Sequence, residues 1–351
     1  MMASQKGSRR STIKDVAAEA EVSISTVSLV MNQKGNVSPD TKDRVLQAAR
    51  QLRYVPRSAA QHLASNRTGN VGFVLRDDHF TRSEPFYTRI FLGAEFEART
   101  QSRYILLTTI PDSYVPDEHT PRFLQEQNVD GVLIAGRVHP AFIEEAEASG
   151  LPIVLADFEA GDHPAVVIDN QNGARAAVEH LLRRGHRRIA FVGADLDHPS
   201  LKARLEGYQL ALSTGEGEGP TEDELVVTAL DEEPTRLTGS TLAERLFKQE
   251  PLPTAVFCAN DALALGVLDA ARIRGIEVPG DLAVVGFDDV EGAAHATPAL
   301  TTVRVFKEQL GEVALRYLSQ LIEEDAPDAA PYERGSHAIR VPTELIVRAS
   351  S

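Results

Sequence analysis

Residues 12–32 read TIKDVAAEAEVSISTVSLVMN, two short helical patterns separated by a three-residue turn. Thr12 and Asp15 have capping-box spacing: the hydroxyl can take an amide of the first turn, and the carboxylate can reach back to the helix start. Ile13, Val16, Ala17 and Ala20 then fall on one face. Glu21-Val22-Ser23 makes the turn, and Ser23 is a natural N-cap for a second helix predicted from Ile24 to Asn32. On that helix Val27, Val30 and Met31 suit a core, while Ile24, Ser25 and Leu29 project outward. Thr26, Ser28 and Asn32 are short hydrogen-bonding groups suited to phosphate oxygens. Such a helix, entered by a tight turn, suits the major groove of DNA. Periodicity by itself fits a plain three-helix bundle equally well; the short helices, the N-capped turn and the local basic charge favour DNA reading.

Working outward, Ser38-Pro39-Asp40 opens a third helix, with Ser38 as cap, Pro39 where a missing N–H costs nothing, and Asp40 and Asp43 complementing the dipole. Val45, Ala48, Ala49 and Leu52 form its buried stripe, and Pro56 stops it. A helix-capable piece at 58–65 and a polar linker at 66–70 follow. From Val71 onward, apolar runs of strand length alternate with helical patterns: VGFVL, YILLTT, VDGVLIAG, PIVLAD, AVVID, RIAFVG, TAVFCAN and LAVVGFDD. Continuous apolar strands between helices predict parallel sheets covered on both faces. Eight to ten strands exceed one comfortable sheet, so two doubly wound lobes are expected. The fold class is therefore an all-α helix-turn-helix headpiece followed by an α/β two-lobed core of two doubly wound parallel sheets. The headpiece is expected over residues 1–56 and a hinge and linker over 57–70. The core follows over 71–351, with a first lobe at about 71–168 and 300–330 and a second at about 169–299 and 331–346.

Charge follows the same division. The chain has a net charge of −15, but residues 1–68 carry 11 Lys and Arg against 5 Asp and Glu, a balance of +6, leaving 25 against 46, a balance of −21, for the rest. An acidic body repels phosphate and leaves the N-terminal unit to meet nucleic acid. The single cysteine, Cys258, excludes an internal disulfide or a cysteine metal cluster and reads as a small buried side chain. No apolar run is long enough for a membrane span, and the polar, basic start is no secretory signal, so a cytoplasmic protein is expected. The segment TGEGEGPTEDE at 214–224 interleaves its glycines with Glu and is followed by no Lys, so it is no phosphate loop. G-x-S-x-G, the P-loop and H-E-x-x-H are absent, and no enzyme activity and no cofactor are expected. Carboxylates at strand ends resemble a glycosidase pair in kind, but they equally serve to bind.

The stretch from Thr12 to Ala64 closely resembles the headpiece of the lactose-repressor (LacI/GalR) family. The resemblance continues through DNQNGARAAVEHLLRRGHRRIAFVG, RLEGYQLAL, PTAVFCANDALALGVL, VPGDLAVVGFDD, TPALTTVR and VPTELIVR, in family order over some 330 residues. It implies a homodimeric regulator, most simply a repressor, whose recognition helices enter successive major grooves of a pseudo-palindromic double-stranded operator. The protein would be nucleoid-associated when DNA-bound. The resemblance implies DNA contacts from Thr12, Ser23, Ile24, Ser25, Thr26, Ser28, Leu29, Asn32 and Arg57, a hinge helix over 57–63, and a minor-groove wedge at Leu63. Three residues depart from the pattern. Glu21 stands where a turn glycine is usual, which predicts a positive φ. Leu29 replaces a base-reading arginine, and Arg57 replaces an asparagine.

Doubly wound sheets bind ligands at the carboxyl ends of their strands. Those ends carry Arg76, Asp77 and Asp78; Asp157 and Phe158; Asn260 and Asp261; Asp288 and Asp289. Such groups can orient hydroxyls, and aromatic faces can cover a sugar ring. The resemblance singles out Asp157, Arg204, Asn260 and Asp288 as effector contacts and Phe86 and Tyr87 as pocket wall, with His198 and Ser200 at specificity positions. Asp77 and Phe158 complete the expected set. A small effector, a sugar or derivative, is expected; a nucleoside or purine effector and a DNA-independent solute receptor are the alternatives. Asp261 is expected as a helix N-cap, Asp289 as a surface or cap residue, and Asp169-Asn170 at the hinge between lobes. The last residues, 346–351, show no heptad tail, which predicts a dimer over a coiled-coil tetramer.

Overall fold

The computed structural model describes residues 11–31, 37–54, 67–79, 86–214, 225–230, 232–324 and 338–351. The chain divides into two compact units, Met1–Gly69 and Asn70–Ser351.

The first unit holds α1 (Ile13–Glu19), α2 (Ile24–Met31) and α3 (Pro39–Gln51). Their starts are built as the spacing predicts. Asp15 accepts the Thr12 amide at 2.7 Å, Ser23 Oγ accepts the Thr26 amide at 3.0 Å, and Ser38 Oγ accepts the Thr41 amide at 3.3 Å. Each satisfies a donor that the first helical turn would leave orphaned. Val16, Ala17, Ala20, Val27, Val30, Val45, Ala48 and Ala49 form the core. These side chains are small or β-branched, so three short helices can approach closely; Met31 packs at the edge.

The second unit contains two six-stranded sheets. The first comprises β1 (Asn70–Arg76), β2 (Tyr104–Ile110), β3 (Val132–Ala135), β4 (Ile153–Ala156), β5 (Ala165–Ile168) and β11 (Ile339–Val341). Its order is β11-β5-β4-β3-β1-β2, all parallel. The second comprises β6 (Ile189–Ala194), β7 (Leu225–Ala229), β8 (Ala255–Cys258), β9 (Ala283–Asp288), β10 (Thr301–Val305) and β12 (Thr343–Ile346). Its order is β12-β10-β9-β8-β6-β7, with only β12 antiparallel. Every residue of β3, β4, β5 and β8 is buried, as sheets covered on both faces require. Cys258 lies in this core, where burial pushes its thiol pKa up.

Helices α4 (Phe86–Thr100), α5 (Arg122–Gln125), α6 (Pro140–Ala148) and α12 (Lys307–Glu324) accompany the first sheet. The second has α7 (Asn170–Arg183), α8 (Pro199–Thr214), α9 (Arg236–Leu246), α10 (Asp261–Arg274) and α11 (Glu291–His295). Helices α4 and α12 meet backbone to backbone: a Cβ at Gly93 would strike Glu308, and one at Gly311 would strike Ile90.

The chain passes between lobes three times, at 168–170, 305–307 and 341–343. The expected boundaries at 300 and 331 are corrected accordingly. Strand β10 belongs to the second sheet, and β11 returns to the first before β12 pairs with β10. Hydropathy could not show this, because an isolated apolar strand is compatible with either sheet. Two other expectations change. Asn260, not Asp261, caps α10, accepting the Leu263 amide at 2.8 Å. Asp261 is fully buried and accepts from the Thr302 hydroxyl at 2.5 Å and the Val290 amide at 2.9 Å, tying three segments of the second lobe together. Asp289 is no surface residue: its carboxylate holds Arg304 at 2.7 Å and Arg348 at 2.6 Å.

Candidate functional site

In the helical unit, α2 turns Val27 and Val30 into the core and leaves Ile24 45% and Leu29 42% exposed. Ser25 is exposed between them, and Thr26 and Ser28 are half-buried. The hydroxyls at the helix start form a cluster: Ser23 Oγ lies 2.6 Å from Ser25 Oγ and 2.8 Å from Thr26 Oγ1. The Thr12 hydroxyl donates to Asp15 at 2.7 Å. Glu21 adopts φ 52°, the left-handed turn conformation expected of it. A side chain there costs on the order of 1 kcal/mol against glycine. Asn32, Arg57 and Leu63 lie outside the described residues, as does the expected hinge helix.

In the second unit, strand ends of both sheets converge. Asp157 follows β4 at φ 69° and is 4% exposed. Its Oδ2 accepts from the Tyr87 hydroxyl at 3.2 Å, while Oδ1 has no hydrogen-bond partner. Burial pushes its pKa up to about 7, against the opposing pull of Arg204. Arg204, on α8, is fixed on several sides. Its Nε donates to Asn170 at 2.8 Å, its Nη1 donates to the Ala259 carbonyl at 2.7 Å, and the guanidinium lies 3.8 Å from the Phe287 ring centroid. Asp288 Oδ1 sits 3.1 Å from Arg204 Nη2, close enough for charge attraction but without the geometry of a hydrogen bond. Asp288 has φ 113°, a conformation that few non-glycine residues adopt.

Lys307, at the start of α12, donates to the Asp288 carbonyl and lies 5.5 Å from the Phe86 ring. It links an element that packs on the first lobe to a strand end of the second. Burial lowers its pKa, and Asp288 counteracts the shift. Tyr87, its pKa raised first by burial and then by Asp157, stacks on His79 with ring centroids 4.3 Å apart and planes 15° apart. Gly136 makes room for that stack: a Cβ there would lie 2.7 Å from both rings, and its φ of +73° favours glycine as well. Half-buried His79 has its pKa lowered to about 4, first by burial and then by Arg76, and its buried Nδ1 has no partner. His198, also lowered to about 4 by burial and then by Arg204, accepts the Ser200 amide at 3.3 Å.

Asp157, Tyr87, Phe86, Arg204 and Asp288 thus come together, and His198 lies near Arg204. Asn260 is nearby, but its amide is committed: Oδ1 caps α10 and Nδ2 donates to the Pro234 carbonyl at 2.9 Å. Asp77 is exposed on a 3-10 turn, and Phe158 is buried in the apolar core of the first lobe. Asn170 lies at the crossing between lobes, the expected hinge, and also orients Arg204. His79, Lys307 and Phe287 were not expected. Phe287 was legible only as the residue before Asp288; the other two carry no local pattern. No group of His, Cys, Asp and Glu among the described residues is arranged to hold a metal ion, and no described helix is long and apolar enough to cross a membrane.

Two family models match the chain. Residues 12–57 match bacterial regulatory proteins of the lacI family, and residues 178–351 match a periplasmic binding protein-like domain. The chain is 34% identical over 323 residues to the catabolite control protein A of Priestia megaterium, covering 91% of this chain and 95% of that protein. It is 31% identical over 342 residues to the HTH-type transcriptional repressor PurR of Actinobacillus pleuropneumoniae, covering 97% and 98%. Among solved structures, the transcriptional regulator CelR in complex with cellobiose aligns at TM-score 0.67 with 31% identity, over 97% of this chain and 100% of that one. The lac repressor dimer bound to operator and the anti-inducer ONPF aligns at TM-score 0.74 with 26% identity, over 97% and 99%.

Proposed function

The chain belongs to the LacI family of bacterial regulatory proteins, and from that premise we propose that a small polyhydroxyl effector, a sugar or sugar derivative, bound between the two lobes sets its hold on operator DNA. It is a DNA-binding transcriptional repressor, as its relatives are, and not an enzyme. The observation that carries the effector reading is the pair of buried carboxylate oxygens, Asp157 Oδ1 and Asp288 Oδ1, that lack hydrogen-bond partners beside Arg204. Buried acceptors without donors are costly, and each hydrogen bond to a charged group is worth roughly 1.5–3 kcal/mol. Ligand hydroxyls can donate to both carboxylates and accept from Arg204, while the His79–Tyr87 stack offers an apolar wall. Two buried carboxylates beside a single guanidinium disfavour a phosphorylated ligand.

The proposed mechanism has two states. The effector bridges Asp157 of the first lobe and Arg204–Asp288 of the second, favouring one lobe arrangement by its differential affinity. In a homodimer acting in the cytoplasm, that arrangement sets whether the hinge over 57–63 folds and Leu63 wedges into the operator. An inducer weakens operator binding. A purine effector is the second reading, favoured by the similarity to PurR repressors. A thermal-shift panel of sugars, nucleosides and purines against the full chain tests both. A binding sugar raises the unfolding temperature with its concentration. Stabilisation by purines alone would replace the sugar reading with the second.

A further inference from the structure

The outward arc of α2 is apolar at both ends. At about 100° per residue, Ile24, Ser28, Ser25 and Leu29 span roughly 140° of the helix surface, opposite the arc that buries Val27 and Val30. The helix, ISTVSLVM, contains no Arg, Lys, Asn, Gln, Asp or Glu. Its described residues therefore lack every side chain that makes a bidentate contact to guanine or adenine. The hydroxyls are already occupied in part, since Ser23 Oγ holds both Ser25 and Thr26. Apart from the exposed Ser25, what the described part of α2 offers a base edge is aliphatic: Ile24 at 45% exposure and Leu29 at 42%. The unit is small and basic, with a balance of +6 over residues 1–68, so its charge matches a phosphate backbone while this face matches something apolar.

The major groove displays one apolar group, the C5-methyl of thymine. From this we propose that Ile24 and Leu29 make α2 a methyl reader, so that each operator half-site presents thymine methyls to these two residues in place of a guanine. Five residues apart, they are separated by roughly 7.5 Å along the helix, about two base-pair steps. The two methyls should therefore lie about two steps apart in each half-site. Methyl reading is not confined to thymine: 5-methylcytosine carries the same group at the same place in the groove. The inference rests on the DNA-binding reading above and names the base chemistry it uses.

The test starts from the full-length chain and a random duplex library. Selected half-sites should carry thymines at two positions about two steps apart. Replacing one of those thymines by uracil deletes only the methyl and should weaken binding about fourfold, the equivalent of ~0.8 kcal/mol for one buried carbon. A 5-methylcytosine·guanine pair in its place should bind more tightly than the unmethylated pair. Leu29→Ala should erase the thymine–uracil difference at one position and leave the other. Leu29→Arg should shift that position to guanine. Both variants alter an exposed side chain and leave the core untouched. Specific half-sites that bind uracil as well as thymine would overturn the methyl reading while leaving the regulator reading intact. Enrichment of no sequence at all would overturn both.

Discussion

In the second lobe, Arg204 is gripped by Asn170, the Ala259 carbonyl and the Phe287 ring, and Asn260 is locked as a helix cap. At the strand ends of the first lobe, Asp157 keeps one oxygen and His79 one nitrogen without partners. The two sheets repeat nearly the same strand order, yet the second lobe's half of the cleft is largely pre-organised, with only Asp288 Oδ1 short of a donor, while the first lobe's half leaves both Asp157 and His79 undersatisfied. The difference teaches where a ligand's energy enters. Groups already bonded to their own lobe position a ligand at little reorganisation cost, whereas groups that lack partners gain most when it arrives. Lys307 stands between these halves, packing on Phe86 of one and donating to Asp288 of the other.

The hardest blow to this contrast is Arg204→Ala. It strips partners from Asn170, the Ala259 carbonyl and Asp288 at once and leaves the buried Asp288 carboxylate with Lys307 as its remaining neighbouring cation. A loss of about 3–5 kcal/mol in denaturant unfolding is expected, with effector response abolished. A variant as stable as the parent would show that the second lobe is not held together through this residue.

Asp157→Asn probes the other half and should do the reverse to stability. The carboxyl titrates near 7 in the folded protein and near 3.8 when unfolded. Its folded pKa is raised, so the stability it contributes is full below pH ~4 and is lost as pH rises through about 7. Asparagine stays neutral, so the variant should be more stable than the parent at pH 8 and should lose less stability between pH 4 and 8. Asp261, pushed up to about 8 by burial and then by Asp288, remains in both proteins and titrates behind the comparison. Ligand hydroxyls favour the ionised carboxylate, so the parent's effector affinity should rise from pH 6 to 8 and that of the variant should not. An affinity loss of about 10–100-fold at pH 8, read by calorimetry, is expected for a lost charge-assisted bond. Parallel pH profiles would remove Asp157 from the binding step.

Lys307→Met should have the smallest effect on stability, under about 1 kcal/mol. The lost bond is offset by relief of a buried ammonium, and the stem packing is kept. Its signature would be in coupling: the effector concentration for half-release of operator should shift severalfold while effector affinity for the isolated protein changes less. Equal shifts in both would make Lys307 a plain pocket residue.

Much of the arrangement was legible in local sequence. The capping residues Thr12, Ser23 and Ser38, the small core of the helical unit and the eight apolar runs declare themselves, because caps and hydrophobic periodicity act over a few residues. The turn at Glu21 was legible through resemblance, and its positive φ follows from the space that the turn allows. What stayed hidden depends on contacts between distant segments. Asp261 and Asp289 looked like caps or surface groups, yet each binds segments from 13 to 59 residues away. Phe158 was expected to contact the effector and is buried in the core, since the direction of a side chain after a strand depends on the loop that follows. Sequence by itself therefore determined the helical reading unit, the two doubly wound lobes and the apolar residues on the face of α2. Tertiary structure alone decided that β10 and β11 exchange lobes, that Asn170 and Phe287 hold Arg204, and that Asp157 is left short of a donor. The physical reason is range: caps and periodicity are local, whereas a buried charge takes its state from whatever the fold brings beside it.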